Sequence, residues 1–148
     1  MSTVDLTTDN TAQVAANFGE HGTGITISRQ CSFSDFAASG DDVQLIAVPE
    51  NSFVAQMYTR VVEAFDGTSV LIVGDDNTTN GYAVDGDIAE TSINTVHNCF
   101  CADATGQFVV KGATPFYTSD DTIDVLLTWS TTPTVGILQV VAVIVTIP

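Results

Sequence analysis

The last quarter of the chain, residues 122–147, restricts the fold more strongly than any other stretch. Its first part alternates between apolar and polar positions, which is typical of a half-buried β-strand. The apolar positions of this part are Ile123, Val125, Leu127 and Trp129. Because alternation of this kind places one face on a core and the other in solvent, it predicts a strand at the surface of a layered β-structure.

The run that follows, residues 137–147, is apolar on both faces and mostly β-branched, which fits a pleated strand better than a helix. A strand with two apolar faces must be covered on both. The run is about half as long as the roughly 20 residues of a membrane-spanning helix, and no lysine or arginine flanks it. It therefore predicts a core strand under a second layer or a neighbouring subunit, and no membrane partner.

The charge balance excludes several classes of partner. The chain has 148 residues, with 18 acidic and 3 basic side chains and a net charge of −15. Phosphate binding needs several cations on one face, which three cannot supply. Nucleic acid and anionic membrane surfaces are therefore excluded as partners, and self-assembly is expected either to depend on apolar contact or to occur where salt screens the repulsion.

The chain divides into two parts by composition. Residues 1–22 are mostly Thr, Asn, Ala and Asp and predict an extended N-terminal arm, with a disordered terminus as the open alternative. Residues 23–148 are long enough for a single domain with a real core. The N-terminus lacks the basic and apolar regions of a signal peptide, and the odd count of three cysteines suggests reduced thiols.

Short apolar runs separated by turn signals predict an all-β sandwich or barrel. Strands are expected at residues 24–28, 43–48, 68–74 and 107–111, in addition to the two closing strands. Residues 53–65 fit both helical and strand periodicity, and the neighbouring strands favour one long strand.

An acidic loop has the spacing of a twelve-residue calcium loop. Asp76, Thr78, Asn80, Gly81 and Asp87 fall at loop positions 1, 3, 5, 6 and 12. Calcium takes six to eight oxygen ligands, which alternate residues of a tight loop can supply. Asp76, Asn80 and Asp87 are therefore candidate calcium ligands, and a solvated acidic turn is the alternative.

Two other clusters have residue types that occur in active or metal sites. His97, Cys99 and Cys101 share one face of a strand, but the outer two would lie about 13 Å apart, so buried thiols beside a core histidine are expected. The carboxylate pairs at 41–42, 75–76 and 120–121 lie in turns, where solvated pairs are common. Since no catalytic motif is present, we predict that the chain is not an enzyme.

Two segments of the chain carry a resemblance to a known class of proteins. The first is VEAFDGTSVLIVGD at residues 62–75, followed by Gly81 and Tyr82, and the second is YTSDDTIDV at residues 117–125, followed by PTVG and a valine-rich strand. These segments resemble small structural proteins of tailed bacteriophages, of the capsid decoration (cement) and head-fibre class, and the resemblance covers about residues 58–148. It implies a β-sandwich that assembles as a trimer on a capsid shell.

Together these observations predict a single jelly-roll-like β-sandwich with an extended N-terminal arm, acting as a homotrimer on the exterior of a phage head. The partners would be its own copies and the shell of major capsid protein, with assembly in the host cytoplasm. Val141, Val143 and Val145 are the predicted interface residues. The alternative is a carbohydrate-binding or adhesin module that uses exposed aromatic residues. The candidates for that role are Tyr82, Phe100 and Tyr117.

Overall fold

The computed structural model describes residues 3–5, 24–100, 105–110 and 115–147. Within them the chain forms nine β-strands, a 3-10 turn at Phe33–Asp35 and one helical turn, α1. The elements are β1 (Thr3–Asp5), β2 (Ile25–Ser32), β3 (Asp41–Val48), β4 (Ser52–Glu63), β5 (Thr68–Asp75), β6 (Val96–Asn98), α1 (Gln107–Val110), β7 (Phe116–Tyr117), β8 (Asp121–Thr131) and β9 (Ile137–Thr146).

The strands form two sheets that pack into a sandwich. One sheet has the order β1-β3-β8-β5, and the other has the order β2-β9-β4-β6 with β7 also paired to β4. The pairs are antiparallel, apart from the parallel pair of β1 and β3. From β2 to β6, and again from β8 to β9, consecutive strands alternate between the sheets. This is jelly-roll-like connectivity, so the predicted all-β sandwich is confirmed.

The two closing strands lie at the centre of the sandwich. β8 is flanked by β3 and β5 in one sheet, and β9 is flanked by β2 and β4 in the other. Their inward side chains are fully buried, as the apolar patterns predicted. These side chains are Ile123, Val125, Leu127, Leu138, Val140, Ala142 and Ile144. The turn between the two strands carries the chain from one sheet to the other.

The ambiguous stretch at residues 53–65 is mainly the twelve-residue strand β4, as favoured from its neighbours. Val54 and Met57 are both buried although they are three positions apart. The ladder between β4 and β9 shifts its register between Val54 and Gln56, and a bulge of this kind changes which side chains face inward. The bulge therefore accounts for the helical spacing seen in the sequence.

The prediction of a strand at residues 107–111 is wrong. Gln107–Val110 forms the helical turn α1, while Lys111 lies outside the described residues. The backbone amides of Gln107 and Phe108 donate to the carbonyls of Asn80 and Gly81, so this segment docks on the preceding loop. The Phe108 ring packs edge-on against Tyr82, with 4.9 Å between ring centroids. These contacts with a distant loop replace pairing to a neighbouring strand.

Part of the predicted arm forms a strand. Thr3–Asp5 pairs in parallel with β3 at the edge of the four-stranded sheet. Residues 1–2 and 6–22, which make up the rest of the predicted arm, lie outside the described residues. No helix in the described part of the chain has the length and hydropathy needed to cross a membrane.

Candidate functional site

The outer face of the five-stranded sheet carries an apolar strip along β9. Val141, Val143 and Val145 alternate with fully buried neighbours and therefore point away from the core. All three are partly exposed in the single chain. We call these three residues the valine strip. The structure thus places the predicted interface residues together on one surface.

The neighbours of the valine strip are neutral. Val141 pairs with Ser28 of β2 and Tyr58 of β4. Val143 pairs with Thr26 and Gln56, and Val145 pairs with Phe53. None of these five neighbours is acidic, although 18 residues of the chain are. An apolar centre with hydroxyl, amide and aromatic side chains around it has the composition of a protein interface.

The outer face of the four-stranded sheet is acidic instead. Asp42 on β3, Asp124 on β8 and Asp76 in the turn after β5 line a recess of about 140 Å³. The two outer faces of the sandwich therefore differ in chemistry. One presents an apolar strip with neutral neighbours, and the other presents several carboxyl groups.

Asp124 is 6% exposed even though it lies on the solvent side of β8. It pairs with Gly74 of β5, and the turn after β5 folds back over this point. A Cβ atom at Gly74 would lie 2.0 Å from the Thr78 carbonyl oxygen, so only glycine permits this approach. Burial, with the neighbouring Asp76 and Asp42 carboxyls, raises the pKa of Asp124 to about 8, although a hydrogen bond from Thr122 opposes the shift.

A buried polar network fixes the same turn from the inside. The Asp75 carboxylate accepts hydrogen bonds from the Asn77 and Thr78 amides and from the Tyr117 hydroxyl at 3.0 Å. The Tyr117 hydroxyl also lies 2.8 Å from the Tyr82 hydroxyl. Burial raises the pKa of both tyrosines, so they remain neutral donors. The network joins β5, the loop at Tyr82 and β7, and its role is structural.

The prediction that Tyr82, Phe100 and Tyr117 are exposed aromatic residues that could bind a carbohydrate is wrong for the two tyrosines. Tyr82 is 0% exposed and Tyr117 is 5% exposed. Phe100 is partly buried and packs against the Tyr82 ring, with 6.2 Å between centroids. The exposed aromatic residue of this region is Phe116, at 48%. In the short pair Phe116–Tyr117 the sequence alone does not show which ring points inward.

The three candidate calcium ligands each contact a different group. The Asp76 carboxyl lies within hydrogen-bond reach of Asp124. The Asn80 side-chain oxygen accepts a 2.7 Å hydrogen bond from Gln107, and Asp87 accepts one of 2.7 Å from the Thr105 hydroxyl. Among the described residues, no three His, Cys, Asp or Glu side chains form a group that could hold a metal ion. Calcium binding stays a prediction, tested below.

The remaining candidate clusters have structural partners. Cys31 and Cys99 are buried thiols, and Cys101 lies outside the described residues. Burial and the nearby Asp35 raise the pKa of Cys31 to about 12, so the thiol stays protonated. His97 Nε2 lies 3.9 Å from an Asp87 carboxylate oxygen.

The carboxylates of the acidic turn pairs accept backbone hydrogen bonds. Asp41 accepts from the Ala38 amide at 2.7 Å, and Asp120 accepts from the Glu50 amide at 2.9 Å. The Asp41 bond closes a local turn, in the way that Asp commonly stabilises a turn, whereas the Asp120 bond joins two segments 70 residues apart. The expectation of solvated pairs is wrong for Asp41 and Asp75, which are 1% and 2% exposed.

No protein-family model and no curated protein sequence matches the chain. The fold is similar to chains in solved bacteriophage capsids. A chain of the cyanophage Pam1 capsid asymmetric unit matches with a TM-score of 0.60 and 16% identity, over 87% of this chain and 90% of that chain. A chain of the Ralstonia phage GP4 capsid matches with a TM-score of 0.61 and 14% identity, over 88% of each chain.

A chain of the acid-stable capsid of Helicobacter pylori bacteriophage KHP30 matches with a TM-score of 0.51 and 14% identity. The match covers 85% of this chain and 90% of that chain. At these identities the likeness establishes a shared fold. The chain therefore has a fold found in the capsids of three phages.

Proposed function

We propose that the chain is a non-enzymatic structural protein of a bacteriophage virion, a decoration (cement) protein that binds the head exterior as a homotrimer. The observation that carries this proposal is the fold likeness to capsid chains, which extends over at least 85% of this chain and 88% of theirs. Because the likeness extends over nearly the whole of both chains, it supports the proposal that this chain is also one subunit of a larger assembly. The sequence resemblance to decoration proteins supports the finer assignment.

The valine strip supports self-association. β9 is flanked by hydrogen-bonded strands on both sides, so Val141, Val143 and Val145 lie near the middle of the outer face. Around a threefold axis, three such faces would bring their valine strips together at the centre. The β2 side of one copy would then meet the β4 and β6 side of the next. Burial of apolar surface in this way contributes the free energy of association that can overcome repulsion between acidic chains.

The partner outside the trimer would be the shell of major capsid protein. Three chains of −15 each carry a net charge of −45, so general electrostatic attraction to an acidic partner is excluded. A trimer instead presents three copies of one contact surface. Once the first contact forms, the second and third form at high effective concentration, so weak single contacts suffice for stable occupancy.

Binding to heads tests the proposal. Purified protein, added to phage heads that lack it, should co-sediment with them up to a fixed number of copies per head. Light scattering of the free protein should give the mass of three chains. Heads that bind no protein would contradict the assignment to the head, and a monomer throughout the micromolar range would contradict the trimer.

Carbohydrate binding is the second candidate function, and one feature favours it. Phe116 borders a recess of about 160 Å³ whose lining includes Asn77, Ser119 and Asp121. An exposed ring beside amide, hydroxyl and carboxylate groups can contact a sugar. A glycan array with the wild-type chain and Phe116→Ala separates the two functions, because a decoration protein without sugar affinity gives no signal in either.

A further inference from the structure

The strand β1 is a small element attached to a sheet edge. Its residues Thr3, Val4 and Asp5 pair with residues 42–44 of β3. The Thr3 hydroxyl donates a 2.9 Å hydrogen bond to Asp42, and Val4 packs against the core. In the described part of the chain, β1 consists of these three residues. Because the contacts are few and ordering the chain opposes them, the attachment within one chain is weak.

The chain between β1 and the rest of the sandwich is long. Residues 6–23 separate β1 from Gly24, which is a tether of 18 residues. Such a tether can span up to about 60 Å. A domain of the size of residues 23–148 has a radius of gyration of about 14 Å, so the tether can reach beyond the width of one subunit.

The position of β1 in the fold also favours contact with a neighbour. β2 is an edge strand of the five-stranded sheet and contacts β3, which is the neighbour of the edge strand β1 in the four-stranded sheet. The tether therefore ends beside β2, on the same lateral edge of the sandwich where β1 docks on β3. In the trimer described under the proposed function, this lateral edge faces the next copy.

We propose that in the assembled trimer Thr3–Asp5 of each copy pairs with β3 of a neighbouring copy, so that the arms are exchanged around the ring. This inference rests on the proposed trimer. An exchanged strand makes the same contacts as one paired within its own chain, so exchange loses no interaction. Within an assembly it also links the copies, since each arm then holds a neighbour at high effective concentration.

Cross-linking between differently tagged chains tests the exchange. Asp5 and Gln44 are paired in the β1–β3 ladder, so a cysteine at each position would bring two thiols together. Chains with Asp5→Cys and chains with Gln44→Cys carry tags of different mass and are produced together in one cell. A short bis-maleimide then joins the thiols. Each variant treated alone measures the background from the native cysteines.

We expect a cross-linked product that contains one chain of each kind, well above the background of either variant alone. The double variant Asp5→Cys/Gln44→Cys is the positive control for the ladder. If the double variant cross-links only within its own chain and the mixture gives no joined product, exchange is disproved. Light scattering and head binding on the same samples distinguish this result from failure of the proposed function. If the protein forms a trimer that binds heads but its chains are not cross-linked to one another, only the arm exchange is disproved.

Discussion

Asp124 illustrates how a single residue departs from the pattern that surrounds it. In the sequence it occupies the polar side of an alternating strand, which predicts a solvated carboxylate. In the structure the turn after β5 covers it, because Gly74 lets the backbone of that turn approach the sheet. The covering groups come from about 50 residues earlier in the chain. No local pattern could therefore predict the burial.

We predict that the free energy of unfolding falls as the pH rises from about 4 to about 8. The pKa of Asp124 is raised from 3.8 to about 8 in the folded chain, and burial also raises the pKa of Asp121. Between these values the unfolded chain loses a proton that the folded chain keeps, so rising pH favours unfolding. Hydrogen bonds from Thr134 lower the pKa of Asp66, so any effect of Asp66 on the free energy of unfolding lies at a pH below this range.

Chemical denaturation near pH 5 and near pH 8 measures this effect, and we expect a difference on the order of 2 kcal/mol. Asp124→Asn should reduce the difference clearly, because the amide cannot ionise. Asp85→Asn, at an exposed position, is the matched control and should keep the wild-type difference. A pH dependence that is the same in Asp124→Asn and the wild type would show that another group causes it.

The calcium prediction for Asp76, Asn80 and Asp87 is tested by melting the protein with calcium and with a chelator. If the loop holds the ion, calcium raises the melting temperature by mass action. Asp76→Asn should then remove the difference, because it deletes the carboxylate at the first loop position. Equal melting temperatures for the wild-type chain in both conditions would leave the loop as an acidic turn held by its protein partners.

At the scale of elements, the sequence predicts the long strands well and the short connections poorly. β8 and β9 follow from alternation and from β-branched content, since these patterns are local. The helical turn α1 docks against a distant loop and the small strand β7 pairs with the distant strand β4, so local propensity does not predict either element. The valine strip was predictable because a two-face apolar strand needs a second cover. The burial of Tyr82 and Tyr117 was not predictable from the sequence.

We predict that Val143→Asp prevents assembly of the trimer and leaves the monomer folded. Val143 lies on the outer face of β9, so a carboxylate there remains hydrated in the monomer and is buried without a partner in the proposed interface. Light scattering gives the assembly state, and circular dichroism gives the fold.

The matched control for this prediction is Thr128→Asp. Thr128 is a partly exposed position on β8 and pairs with Val70 of β5, so it lies in the four-stranded sheet, away from the valine strip. We expect this variant to assemble as the wild type does. Normal assembly of Val143→Asp would exclude the valine strip as the interface.

At the scale of the whole molecule, charge decides how the protein can associate. With 18 acidic and 3 basic residues, copies repel one another and repel any acidic shell. Salt screens such repulsion over distances near the Debye length of about 10 Å at 0.1 M. We therefore predict that adding salt strengthens binding to heads.

A salt series in the head-binding assay measures this dependence. Arg60→Gln removes an exposed cation from the five-stranded sheet and should leave the direction of the salt effect unchanged. Binding that weakens steadily with salt would show instead that a basic side chain pairs with shell carboxylates.

We propose that the chain decorates the outside of a phage head in groups of three. Cryo-electron microscopy of the purified virion that carries the protein tests it most directly. We expect density for a two-sheet sandwich on the outer surface of the head, repeated around threefold positions, with the valine strips at each centre. Density for this chain in the tail or inside the shell, or as isolated single copies on the surface, would contradict it.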